Sequence, residues 1–135
     1  MWAKTKAILV SNDPDTVNQI AQGFDICLPG AELLTANNGT QGIDLLKACE
    51  PNIVILDASI PDINVWDFFK QASQHNKVPV ILLSYSREEA DIVKSLETGF
   101  DKYIVKPFRQ LELMAYIRSI LRRTYSQKDT EKVAS

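Results

Sequence analysis

Three side chains in this sequence have the types needed to make and hold an acyl phosphate. Asp57 is a carboxylate nucleophile, Ser84 a hydroxyl donor and Lys106 an ammonium. Phosphoryl transfer onto a carboxylate needs such a nucleophile together with groups that take up the negative charge developing around phosphorus. Each of the three directly follows an apolar run of strand length, at residues 53–56, 78–83 and 103–105, and a polar cluster, Ser11-Asn12-Asp13, follows a similar run at 7–10. All strands of a parallel sheet that point the same way finish at one edge, and ligands bind outside those carboxyl ends. Buried runs that each end in a polar group therefore predict one shallow site. Its natural product is an aspartyl phosphate on Asp57.

The elements that must position these groups are βαβ units, because apolar runs of strand length alternate with segments of helical period. Strand residues 7–10 lead to Asp13-Pro14, an N-cap and first-turn proline, and a helix burying Val17, Ile20, Ala21 and Phe24 that stops at Pro29-Gly30. Residues 32–36 alternate as a half-exposed edge strand does. Asn37-Asn38-Gly39 then turns into a helix carrying Ile43, Leu46 and Cys49, ended by Pro51. Residues 53–56 are continuously apolar, which suits a central strand covered on both faces. A third helix starts near Asn64, although Val65, Trp66, Phe68 and Phe69 fit helix or strand.

Residues 78–83 repeat the central-strand character. Ser86-x-x-Glu89 then has the form of a capping box, opening a helix with Ala90, Val93 and Leu96 inward and Gly99 as its C-cap. Strand 103–105 precedes Lys106-Pro107, and a last helix with Leu111, Met114, Ile117 and Leu121 inward ends near Tyr125. The expected organisation is one α/β domain over residues 1–125 and a polar C-terminal tail over 126–135.

A length of 135 residues suits one such domain with no attached effector. The net charge of −2 gives no broad basic field, so nucleic acid is not expected and a protein partner is. The bases Arg118, Arg122 and Arg123 are a solvated face near a helix C-terminus. Cys27 and Cys49 have no metal or redox spacing, and no apolar stretch is long enough to span a bilayer. The expectation is a cytoplasmic domain away from the membrane.

The run Pro51-Asn52-Ile53-Val54-Ile55-Leu56-Asp57 with Pro61-Asp62 beyond it resembles the phospho-acceptor segment of response-regulator receivers, the signalling domains of two-component systems. Val78-Pro79-Val80 to Ser84, then Tyr103 and Lys106-Pro107-Phe108, continue the likeness over nearly the whole chain. The resemblance implies a flavodoxin-like doubly wound sheet of five parallel strands in the order 2-1-3-4-5 with five helices. It also implies Asp57 as phospho-acceptor, Lys106 as its ion-pair partner aimed by a cis Pro107, and Ser84 with Tyr103 as the switch pair. The phosphoryl donor would be a histidine kinase or phosphotransfer protein. The downstream protein would meet the face of the fourth helix, fifth strand and fifth helix.

The sequence departs from the family where receivers place two acids to hold Mg²⁺: Ser11 and Asn12 stand there, and neither is charged. The resemblance leaves Asp57, Asn12 and the Ser59 backbone carbonyl as metal ligands. A unit charge pair about 4 Å apart near a surface gains roughly 4 kcal/mol, so this Mg²⁺ site is expected to be weakened. Asp13 is the one acid in that loop, and its placement before Pro14 favours a helix cap over replacement of the lost pair. Tyr85 stands beside the phosphoryl pocket where the family has a small residue and is expected to narrow access. Val65 replaces a loop glycine, which predicts a rearranged loop. Two functions stay open: a stand-alone receiver phosphorylated on Asp57, or a degenerate receiver that docks a protein without phosphorylation. Neither is a conventional enzyme; the most expected is phosphotransfer to its own Asp57 and slow autodephosphorylation. A flavin-binding relative would need a hydroxyl-rich phosphate cradle, which Ser11-Asn12-Asp13-Pro14 does not supply.

Overall fold

The structure is a computed structural model that describes the backbone of residues 2–75 and 77–134, and their side chains as far as Tyr125. Strands β1 (Lys6–Val10), β2 (Glu32–Ala36), β3 (Ile53–Asp57), β4 (Val80–Ser84) and β5 (Lys102–Val105) alternate with helices α1 (Pro14–Cys27), α2 (Gly39–Cys49), α3 (Val65–His75), α4 (Glu89–Thr98) and α5 (Gln110–Ala134). The strands form one parallel sheet in the order β2-β1-β3-β4-β5, as the resemblance implies. Side chains alternate across a pleated strand, and here that alternation builds two cores. Leu9, Ile53, Ile55, Ile81 and Leu83 meet Ile20, Phe24, Met114 and Ile117 on one face. Ile8, Val10, Val54, Leu56 and Leu82 meet Ile43, Leu46 and Phe68 on the other. Every residue of β3 is buried, because it is the central strand of the five and has helices on both faces.

Local chemistry explains most of the helix boundaries. Asp13 caps α1 through the Asp15 amide, Asn38 caps α2 through the Gln41 amide, and Asn64 accepts from the Asp67 amide while donating to its carboxylate. The ambiguous segment 65–69 is thus helical. Val65 opens α3, and Glu50 is the one non-glycine residue with positive φ among those described, so no left-handed turn is forced on the valine. Glu50 itself, at φ 46°, forms the left-handed C-cap of α2, with Pro51 just beyond. Gly99 takes φ 127° at the end of α4, and a Cβ there would lie 2.8 Å from the Phe69 ring, so both conformation and space require glycine.

Several expectations are corrected. Ser86 and Glu89 do not form a capping box: α4 begins at Glu89 after Glu88, which makes no side-chain cap bond, and the Ser86 hydroxyl donates to Asp91 instead. Ala90, Val93 and Leu96 face outward. Ser95 is the buried residue of α4, flanked by half-buried Asp91 and Ile92, so helical periodicity was present but the apolar stripe is the outer one. On α5, Leu111 is 63% exposed while Leu113 and Ile120 are buried beside Met114, Ile117 and Leu121. Val17 and Ala21 on α1 are half-buried, and Gly23 lies inside, where its missing Cβ admits Met114 of α5. Helix α5 continues to Ala134 rather than ending near Tyr125, through a segment with neither glycine nor proline to stop it. Among the described residues no helix is long and apolar enough to cross a membrane.

Candidate functional site

Sheet register decides which side chains meet. Val10 pairs with Leu56, so the next residues, Ser11 and Asp57, leave adjacent strands side by side; Asp57 pairs with Leu83, and Ser84 with Val105 just before Lys106. The Lys106–Pro107 bond is cis, in accord with the resemblance. Lys106 Nζ lies 2.8 Å from Asp57 Oδ2 and 3.1 Å from Asp13 Oδ2. The first pair is withdrawn from solvent, Asp57 being 1% and Lys106 3% exposed. A buried ion pair repays its desolvation only when further hydrogen bonds satisfy the charges. Here the Ser11 hydroxyl donates to Asp57 Oδ2 at 2.8 Å and the Ser59 amide to Oδ1 at 3.1 Å.

Asp13 performs two tasks at once. It caps α1, accepting from the Asp15 amide and the Thr16 hydroxyl, and its Oδ2 also takes the Lys106 ammonium. The hydrogen bond from Lys106, followed by that from Thr16, holds its carboxyl below the usual aspartate range. For Lys106, burial acts first and pushes the ammonium down. The hydrogen bonds and charges of Asp57 and Asp13 outweigh it and hold the group above the ordinary lysine value. The Tyr85 side chain is 64% exposed, and its ring centroid lies 4.7 Å from Lys106 Nζ, so it lids the ammonium from outside.

The other expected site residues are placed as follows. Ser84, which ends the strand beside Asp57, takes the Ser86 amide on its hydroxyl at 3.1 Å, and the hydroxyl bonded to the Asp57 carboxylate is that of Ser11. Tyr103 donates its hydroxyl to the Ser86 carbonyl at 2.8 Å, tying β5 to the loop that opens α4. Asn12 Oδ1 accepts from the Ser59 hydroxyl at 3.1 Å. Asp62, quoted only as part of a motif, accepts from the Gly39 and Thr40 amides and the Thr40 hydroxyl. Those bonds, the Thr40 amide foremost, hold its carboxyl below the ordinary value and fasten the β3–α3 loop to the N-terminus of α2. Arg118 is not fully solvated: it is half-buried, and its Nε has no hydrogen-bond partner.

A hard divalent cation needs several oxygen ligands with charge among them, and the donor set here does not fit one. Ser11 turns its hydroxyl proton to Asp57, Asn12 is neutral and engaged by Ser59, and Asp13 is engaged by Lys106 and the α1 cap. Among the described residues there is no group of three acidic, histidine or cysteine side chains able to hold a metal. Sequence reasoning missed Ser11 as a donor and Asp13 as an ion-pair partner. The signal for Ser11 was available, since adjacent β1 and β3 of similar length must bring their next residues together.

Comparison with known proteins agrees with this architecture. The model of the response regulator receiver domain matches residues 7–118. A probable transcriptional regulator, ycf27, of Cyanophora paradoxa is 34% identical over 124 residues, covering 92% of this chain and 52% of that protein. The transcriptional regulatory protein AfsQ1 of Streptomyces coelicolor is 32% identical over 117 residues, covering 87% and 52%. The chain thus spans about half the length of these relatives. Among solved structures, a CheY-like receiver domain protein from Methanospirillum hungatei superposes with a TM-score of 0.82 at 20% identity, covering 91% of this chain and 98% of that one. The signal receiver domain of an HD domain-containing protein from Pseudomonas fluorescens gives 0.84 at 24% identity, covering 96% and 95%. With the family model spanning most of the sheet and its helices, the chain belongs to the response regulator receiver domain family.

Proposed function

We propose that this receiver signals by docking a protein partner on the face of α4, β5 and α5, without needing a phosphoryl group on Asp57. The observation that carries the reading is the state of the acceptor oxygen. Asp57 Oδ2 holds both the Ser11 hydroxyl and the Lys106 ammonium at 2.8 Å. Attack on phosphorus through Oδ2 would surrender one of these donors in a buried setting, where each lost charge-assisted bond costs on the order of 1.5–3 kcal/mol, and Oδ1 is itself held by the Ser59 amide at 3.1 Å. The pocket's two neutral positions, Ser11 and Asn12, bring no carboxylate to hold a cation that would organise an incoming phosphoryl group. The outer face supports the same reading, because α4 turns Val93 and Leu96 to solvent at 43% and 47% exposure. Tyr103 is already bonded to the Ser86 carbonyl with Asp57 unmodified.

The test is incubation with a small acyl phosphate and Mg²⁺, followed by intact-mass measurement. No phosphate adduct is expected. An adduct that disappears in Asp57→Asn would replace the reading with a second one: a receiver accepting phosphate from a histidine kinase or phosphotransfer protein, with Lys106 and Ser84 holding the group. The short Lys106–Asp57 contact favours that alternative, since it keeps an ammonium where the new charge would form.

A further inference from the structure

The Lys106 ammonium sits between two carboxylates that leave different strands, 2.8 Å from Asp57 and 3.1 Å from Asp13. Ser11 lies across the same oxygen of Asp57 and also accepts the Asp13 amide at 3.1 Å, so one hydroxyl fixes the distance between the two acids. The Tyr85 ring closes the open side of the ammonium. We infer that Lys106, clamped by Asp13 and positioned through Ser11, takes up carboxylate charge that would otherwise draw in a divalent cation, so the pocket is indifferent to Mg²⁺. Two acids and one ammonium leave the cluster with one net negative charge instead of two. A divalent ion entering it would meet the like charge of Lys106 and would have to displace hydrogen bonds from both carboxylates. This goes beyond the docking reading and does not depend on it.

The roles can be separated because asparagine caps a helix about as well as aspartate. Asp13→Asn therefore keeps the α1 cap while removing the charge. Isothermal titration of the full chain with Mg²⁺, and with Mn²⁺ as a tighter-binding probe, is expected to show no saturable heat in the wild type up to about 10 mM. Lys106→Met, which keeps an apolar stem of similar length, should gain saturable binding at least roughly tenfold tighter than any wild-type signal, since Asp13 and Asp57 are left uncompensated. Lys106→Met combined with Asp13→Asn should lose that gain. A lysine that served only as a structural tie would lower stability and create no cation affinity. Should Lys106→Met fail to fold by near-ultraviolet circular dichroism, Lys106→Gln, uncharged but still a donor, is judged by the same criterion.

Saturable sub-millimolar binding by the wild type overturns the inference. So does a folded Lys106 variant without gain, or a gain insensitive to Asp13→Asn. A phosphate adduct on Asp57 would sink the docking reading and leave this inference standing.

Discussion

The Asp57 pocket and the α4 helix are neighbours built on opposite terms. At the pocket, β1, β3 and β5 deliver their terminal residues in register, and both oxygens of the buried carboxylate have donors. At α4, a ten-residue helix buries one serine, whose hydroxyl bonds the Asp91 carbonyl one turn back in the same helix, while the Ser86 hydroxyl of the preceding loop donates to the Asp91 carboxylate. One side cation–π contact, Lys94 over Trp66 at 3.9 Å, joins it to α3. The contrast teaches that this receiver spends its apolar contacts on the central sheet and leaves α4 with a single buried side chain, that of Ser95. Local stability follows buried apolar contact, so α4 is the element that a partner can capture or shift at least cost.

The comparison is broken most directly by removing one half of the buried pair. Lys106→Ala, which strands Asp57, is expected to cost on the order of 3–5 kcal/mol in urea unfolding; a loss below about 1 kcal/mol would mean that the pocket is not the rigid side. Next in size, Leu113→Ala should cost about 2–5 kcal/mol, whereas Leu111→Ala, two residues away and exposed, should stay within about 0.5 kcal/mol. Equal costs would show that the inner stripe of α5 is misassigned. Ser11→Ala should cost on the order of 1–3 kcal/mol by removing a donor from a buried carboxylate.

The smallest stability effect is predicted for the other region. Leu96→Ser on α4 should move the unfolding midpoint by no more than about 0.5 kcal/mol and yet weaken capture of a docking partner, which pull-down with the variant measures. Destabilisation as large as that of Leu113→Ala would erase the distinction between the two regions.

Acidity sharpens the comparison from another side. Asp13 has a lowered carboxyl, so its contribution is present above the unfolded aspartate value near ~3.9 and is lost as pH falls through the lower folded value. Lys106 is raised, so its contribution is full below the unfolded lysine value near ~10.4 and is lost as pH rises through the higher folded one. The melting-temperature difference between the wild type and Asp13→Asn should therefore be present at neutral pH and vanish as pH falls below ~4, while Lys106 sets the alkaline limb. A difference that persisted undiminished at pH ~2 would contradict the Asp13 assignment.

Much of this was legible from particular residues. The continuous apolar run before Asp57 marked the central strand, Asp13-Pro14 marked the start of α1, and the polar residue after each run marked the site edge. The failures have a common cause. Val93, Leu96 and Leu111 have the type and spacing of core residues, and periodicity reports that a helix has an apolar stripe without saying what lies against it. Ser86 and Glu89 have capping-box spacing, but α4 starts at Glu89, two positions later than a cap at Ser86 would place it, which leaves Ser86 to hold Asp91.

By itself the sequence determined that the chain folds as alternating strands and helices with Asp57 and Lys106 at one edge, because strand and helix periods and turn residues are local properties. It also determined that two positions beside Asp57 carry no charge. Only the tertiary structure decided that Ser11 donates to Asp57, that Asp13 reaches Lys106 across 93 positions while capping α1, and that α4 faces its leucine outward. Those outcomes depend on register between strands and on the angle at which helices settle on the sheet. Both are set by packing among residues far apart in the chain, and no single stretch of sequence contains that information.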